Sequence, residues 1–209
     1  MTKMATTSDF QRLCNNISTK LAKINSHTSE LETLVEKLGT PEDSEPLRER
    51  YLRLQNETKL LMKETNNILQ QLQSISLASE ADQKRRKTLA ETLPKQYLAI
   101  LNRFQETQRA GARKEKDSLE RARAVRYRQQ SVYESHTADI SGPSNTQLQQ
   151  QYVLPIEQEV DLQGLTERNE QLCQIEKNIV EVNELFKDVG RMVHEHGGII
   201  GELFNHFDD

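Results

Sequence analysis

Apolar residues recur through this chain at steps of three and four, and polar residues fill the positions between them. Phe10, Leu13, Ile17, Leu21, Ile24, Leu31 and Leu38 share one helical face, with Thr28 and Val35 in the same phase. Ser8 followed by Gln11 offers a capping box ahead of that stripe, and Gly39 offers a left-handed residue behind it; together they predict a first helix over about 8–38. Thr40-Pro41-Glu42-Asp43-Ser44 reads as a tight connection. Leu47, Tyr51, Leu54, Leu61, Ile68, Leu72 and Ile75, with Thr58 and Thr65 in phase, predict a second helix over about 44–76. Ser79 and Asp82 repeat the capping pattern and open a third helix over about 79–112, whose stripe is Leu89, Leu93, Tyr97, Ile100 and Phe104. Pro94 interrupts that stripe and predicts a kink near 92–94 or a restart at the proline.

Past Gly111 the chain turns rich in Arg, Lys, Glu and Ala, which predicts an exposed, fraying extension of the third helix to about residue 130. Residues 131–160, with Ser141-Gly142-Pro143-Ser144 and the run from Gln147 to Gln151, have linker composition. Residues 1–7 read as a disordered tail. The last stretch, 161–209, carries the most regular pattern. Leu172, Ile175, Ile179, Val182, Phe186, Val189 and Val193, then Ile200, Leu203 and Phe207, form one heptad seam, interrupted in phase by His196. A single polar residue in such a seam costs stability and fixes register and partner number. Short connections join the three leading helices, so the expected fold class is all-α: an antiparallel, up-down-up three-helix bundle over 8–130. The carboxy-terminal heptad helix is set apart by the linker, either folded back on the bundle or acting alone.

Composition narrows the function classes. Only 34% of the 209 residues are hydrophobic and Trp is absent, so one modest core is expected, and 29% charged residues suit long solvated helices. A formal net charge of -4 gives no general attraction to nucleic acid or anionic lipid. Cys14 and Cys173 match no disulfide framework or zinc spacing; they are expected to be buried or half-buried thiols in a reducing, cytosolic setting. No apolar run approaches the ~18 residues of a membrane span, so the chain as it stands reads as soluble. Lys84-Arg85-Arg86-Lys87 is read as a solvated helix face. His194 and His196 lie two apart and so on different sides of a helix; with His206 nearby they form no metal motif. There is no phosphate loop, nucleophile elbow or His with a base partner, so neither an enzyme nor a cofactor is expected.

Two segments resemble a known family. The run Glu181-Val-Asn-Glu-Leu-Phe-Lys-Asp-Val-Gly-Arg-Met-Val-His-Glu-His-Gly197 is similar to the central part of the SNARE motif of syntaxins, the target-membrane class. Asp9-Phe-Gln-Arg12 and Leu38-Gly-Thr-Pro-Glu-Asp-Ser44 resemble the amino-terminal three-helix domain of endosomal syntaxins. The resemblance implies a helix that joins other SNAREs, including a vesicle-side Arg SNARE, in a parallel four-helix bundle that draws membranes together. Leu172, Ile175, Ile179, Val182, Phe186, Val189 and Val193 would then be its amino-terminal layers, His196 its central polar layer, and Ile200, Leu203 and Phe207 the layers beyond. It also implies Sec1/Munc18-type and tethering partners at the three-helix domain, and a place on the cytosolic face of endosomal membranes.

Two departures stand out against the family. Gln is usual at the central layer, where its carbonyl accepts from Arg. Neutral imidazole at His196 can still accept, whereas imidazolium cannot, so assembly is expected to weaken as pH falls through that titration. The chain also stops at Asp209, before the family's remaining layers and membrane anchor. An anchorless regulator that competitively inhibits fusion is therefore an alternative, and a self-associating structural coiled coil a second one.

Overall fold

A computed structural model describes the backbone of residues 6–138 and 153–196 and the side chains of 6–128 and 162–194. Among the described residues the chain is entirely helical: α1 (Thr7–Lys37), α2 (Glu45–Ser74), α3 (Glu80–Ala138) and α4 (Val153–His196). The first helix is capped two residues earlier than Ser8 and Gln11 suggested. Thr6 Oγ1 accepts from the Asp9 backbone N–H at 3.1 Å, while the Asp9 carboxylate accepts from the Thr6 backbone N–H. Thr7 is thus helical rather than part of a tail; Ser8 lies inside the first turn, and Asp9 there complements the helix dipole.

At the other end of α1 the pattern holds. Gly39 takes a φ of 73° and donates its N–H to the Asp43 carboxylate at 2.8 Å, a left-handed stop that L side chains resist. The turn closes with Asp43 N–H to the Thr40 carbonyl and delivers the chain into α2, which has Pro46 in its first turn. Ser79 Oγ accepts from the Asp82 N–H and starts α3 as the capping pattern implied.

Side-chain pairs define the topology. Lys20 with Glu64 and Arg50 with Glu30 run α1 against α2 in opposite directions. Thr7 with Asp82 and Lys114 with the Glu36 carbonyl run α1 alongside α3 in the same direction. The up-down-up arrangement is therefore real. Its core is Phe10, Ile17, Ile24, Leu31, Tyr51, Leu54, Leu72, Leu93, Tyr97 and Phe104, all buried. Tyr97 donates its hydroxyl to the Met62 carbonyl at 2.8 Å, and burial pushes its ionisation well above the ordinary range.

The third helix excludes one alternative of the sequence reading, the restart at Pro94, and departs from it beyond Gly111. It continues through Pro94 without a break, so there is no restart; Pro94 itself is buried. Beyond Gly111 the helix is not simply an exposed extension, because Glu115 and Leu119 are both 2% exposed. A polar-rich stretch has something to bury here because a fourth helix lies against it. Gly111 serves a close approach: a Cβ there would stand 1.9 Å from the Tyr51 hydroxyl. Helical structure also reaches into the expected linker, ending at Ala138 and resuming at Val153 rather than near Asp161, and 139–152 lie outside the described residues.

Candidate functional site

The heptad helix folds back. Arg168 meets Glu115, while Asn183 accepts from Gln105, so α4 runs antiparallel to α3. Gln171 with Glu45, Asn178 with Asn56 and Asp188 with Asn66 run it parallel to α2. It occupies the groove between those two helices, diagonal to α1, with which it makes no contact among the described residues.

Six of the predicted seam residues, Leu172, Ile175, Val182, Phe186, Val189 and Val193, are buried in this groove; Ile179 is half-buried. His196 is the last residue of α4, and its side chain, like Ile200, Leu203 and Phe207 as a whole, lies outside the described residues. Asn178, Leu185 and Met192, spaced seven apart beside the seam, are buried with it. A two-position stripe omits them because it suits a two-helix coiled coil. A helix that closes a four-helix bundle must bury about three positions in seven, and the recurrence of Leu185 and Met192 was the available signal. Cys173 falls on the outer face and is exposed, unlike buried Cys14, where desolvation raises the thiol's pKa against the lowering influence of Arg85.

The walls of the groove were also invisible as apolar pattern. On α2 the stripe facing α4 is Gln55, Lys59, Met62, Asn66 and Leu69; on α3 it includes Leu101, Gln105, Gln108, Glu115 and Leu119. All of these are buried, and six of the ten are polar or charged. Lys59 Nζ donates to Asn178 Oδ1 at 2.6 Å and pairs with Glu181 at 3.1 Å. Lys63 also reaches Glu181 at 2.7 Å, and the two ammonium groups, Lys63 first, hold its carboxyl down at about 2. Asn66 donates to Asp188 at 3.0 Å, and Gln108 donates to Gln55 at 3.1 Å.

Near the amino-terminal part of α4, Arg168 donates through Nε to Glu115 at 3.0 Å and through Nη2 to Ser118 Oγ at 2.9 Å, with Nη2 also in ion-pair contact with Glu115 at 2.9 Å. Arg48 stands on the other side of Glu115 at 3.6 Å and donates to Asp43 at 2.7 Å. Burial pulls the Arg48 pKa down, but Asp43 and Glu115 outweigh it and leave the guanidinium firmly charged.

The remaining candidates are structural or exposed. Arg85 stacks over Phe10 and donates to Gln11 and Arg86 donates to the Gln73 carbonyl, which ties these two to the bundle, while Lys84 pairs with Glu80 on the exposed face of α3. His194 is exposed, and no group of three potential metal ligands occurs among the described residues. No described helix is long and apolar enough to cross a membrane.

A heptad helix lodged in a polar-lined groove of a three-helix domain defines a class of protein in which one amphipathic helix is carried by a folded partner domain. The comparisons give that class its family. The model of the family described as syntaxin-like protein matches residues 13–159. Syntaxin-7 of Homo sapiens is 32% identical over 198 residues, covering 93% of this chain and 76% of that protein. Syntaxin-7A of Dictyostelium discoideum is 25% identical over 222 residues, covering 94% of this chain and 60% of its own length. The fold is similar to a chain in the crystal structure of the Unc18-syntaxin 1 complex from Monosiga brevicollis, with a TM-score of 0.63 at 18% identity over 98% of this chain and 90% of that one. The chain belongs to the syntaxin family. It is a syntaxin-type SNARE of membrane trafficking, and not an enzyme.

Proposed function

We propose that α4 supplies one helix to a four-helix SNARE bundle in endosomal vesicle docking and fusion, and that its lodging in the α2/α3 groove is the resting alternative to that bundle. The observation that carries this reading is that the same heptad residues meet both demands. Leu172, Ile175, Val182, Phe186, Val189 and Val193 are buried in the groove, so they cannot face foreign helices until α4 leaves. A groove lined largely with polar groups supports exchange, since those groups regain water when it empties and so make opening less costly than it would be from an apolar surface.

In this reading the layers are Leu172, Ile175, Ile179, Val182, Phe186, Val189 and Val193, then His196 at the centre facing a vesicle-side Arg, with Ile200, Leu203 and Phe207 beyond. Sec1/Munc18-type proteins would grip the three-helix domain with α4 in place; a chain of similar fold is found in a complex with Unc18. Mixing the full chain with soluble segments of three endosomal SNAREs should yield a stoichiometric complex with increased helicity, and Val182→Asp should abolish it while leaving α1–α3 folded. A homodimer indifferent to those SNAREs would overturn the reading in favour of a self-associating coiled coil.

A further inference from the structure

The two parts of α4 are held by different forces. From 172 to 193 the helix buries Leu172, Ile175, Val182, Leu185, Phe186, Val189, Met192 and Val193, whereas no side chain from 162 to 171 is fully buried. What fixes that earlier segment is polar: Arg168 to Glu115 and Ser118, Arg123 to Asn169 at 3.0 Å, and Gln171 to Glu45 at 3.1 Å. Of these only the first is enclosed, with side chains 13% exposed at Arg168 and 3% at Glu115.

We infer that Arg168, acting on Glu115, is the catch that closes the amino-terminal segment of α4, so that α4 leaves its groove from that end. The argument rests on charge compensation. Closing α4 takes Glu115 out of water, and a buried carboxylate needs hydrogen-bonded counter-charge. Glu115 Oε1 finds it in Arg168, while Oε2 has only Arg48 at 3.6 Å, beyond hydrogen-bond reach. Arg48 gives its Nη2 to Asp43, and its Nε, 3.6 Å from Oε2, makes no hydrogen bond, so it compensates Glu115 only by charge. Without Arg168, therefore, closure leaves Glu115 under-compensated, and the segment before Leu172 buries no side chain fully to offset it, Leu165 being only half-buried. Of the groups involved only Arg168 belongs to α4, so the three-helix domain keeps its own Arg48–Glu115 and Arg48–Asp43 pairs when α4 departs.

This inference deepens the proposed exchange between groove and SNARE bundle, and rests on it for its biological meaning but not for its test. Hydrogen exchange on the full chain should show amides of 165–175 exposed about 100-fold more in Arg168→Met than in the parent, with α1 amides unchanged. Replacing both partners, Arg168→Met with Glu115→Met, removes the uncompensated charge and should return protection to within about 10-fold of the parent. Unchanged protection at 165–175 in Arg168→Met, or a double variant as open as the single one, would overturn the catch. Binding to soluble segments of three SNAREs is measured separately: faster binding by Arg168→Met supports the exchange. An opened segment with no acceleration would sink the proposed function and leave the catch standing.

Discussion

Helix α1 and helix α4 both lie against the α2/α3 pair, and they are held there in contrasting ways. The first presents Phe10, Cys14, Ile17, Leu21, Ile24, Leu31, Val35 and Leu38, with Thr28 the one buried polar residue of its helix, and that hydroxyl is bonded to its own Ile24 carbonyl. The second presents a comparable apolar stripe but meets Lys59, Asn66, Gln105 and Glu115. At α1, each buried Leu, Ile or Phe contributes about 1.5–3 kcal/mol with little polar desolvation to set against it. At α4, part of the gain from burial offsets the dehydration of amides and ions on the facing walls. The lesson is that one bundle can hold a permanent member and an exchangeable one on comparable apolar stripes, the difference lying in the walls they meet.

That contrast can be broken most severely at α1. Leu31→Ala should destabilise the whole molecule by about 2–5 kcal/mol, read by thermal unfolding, and should carry α4 with it because the groove is lost. Gly111→Ala should cost about 1–3 kcal/mol in the same measurement, since the new methyl meets the buried Tyr51 hydroxyl. A smaller or absent effect would show that Tyr51 can swing away. Phe186→Ala sharpens the comparison. It should release α4, seen as lost hydrogen-exchange protection over 175–193, while α1–α3 retain their protection; joint loss would mean that α4 is as permanent as α1.

The mildest tests are in pH. Because Lys63 and Lys59 hold the Glu181 carboxyl at about 2, below its ordinary 4.5, its contribution to α4 docking is present above about 4.5 and fades as pH falls from there toward 2. Glu181→Gln should flatten that part of the profile of α4 protection. His27 belongs to the α1/α2 side; desolvation, then Lys23, lowers its pKa below the ordinary 6.5, so its neutral form is favoured by folding. Stability linked to it is full above 6.5 and declines as pH falls, and His27→Gln should remove a small acid-side slope in global unfolding while leaving α4 protection untouched. An effect of His27→Gln on α4 would contradict the separation of the two interfaces.

Much of the bundle was legible before any coordinates. The α1 stripe was read almost residue for residue, because a helix that faces a dry core repeats apolar side chains with the period of the helix. Gly39 and Ser79 were read correctly because their roles are local. Thr6 and Ser8 both precede an acceptable third residue, and only the backbone geometry chooses between overlapping caps. The groove was hidden for a different reason. Lys59, Gln105 and Glu115 look like solvent-facing residues in one dimension, and they become interior only when another helix supplies Asn178, Asn183 and Arg168 as partners.

What the sequence determined by itself, then, is the set of helices, the up-down-up order of the leading three, and the heptad face of the last. These follow from spacing and from chain connectivity, which are properties of neighbours in the chain. Only the tertiary structure decided that the heptad face is turned inward onto α2 and α3, that Glu115 and Leu119 beyond Gly111 are buried, and that Glu115 lies between two arginines. Those outcomes depend on pairing polar groups more than a hundred residues apart in places, as between Lys59 and Asn178, and no periodicity within one helix encodes the partner that another helix will bring.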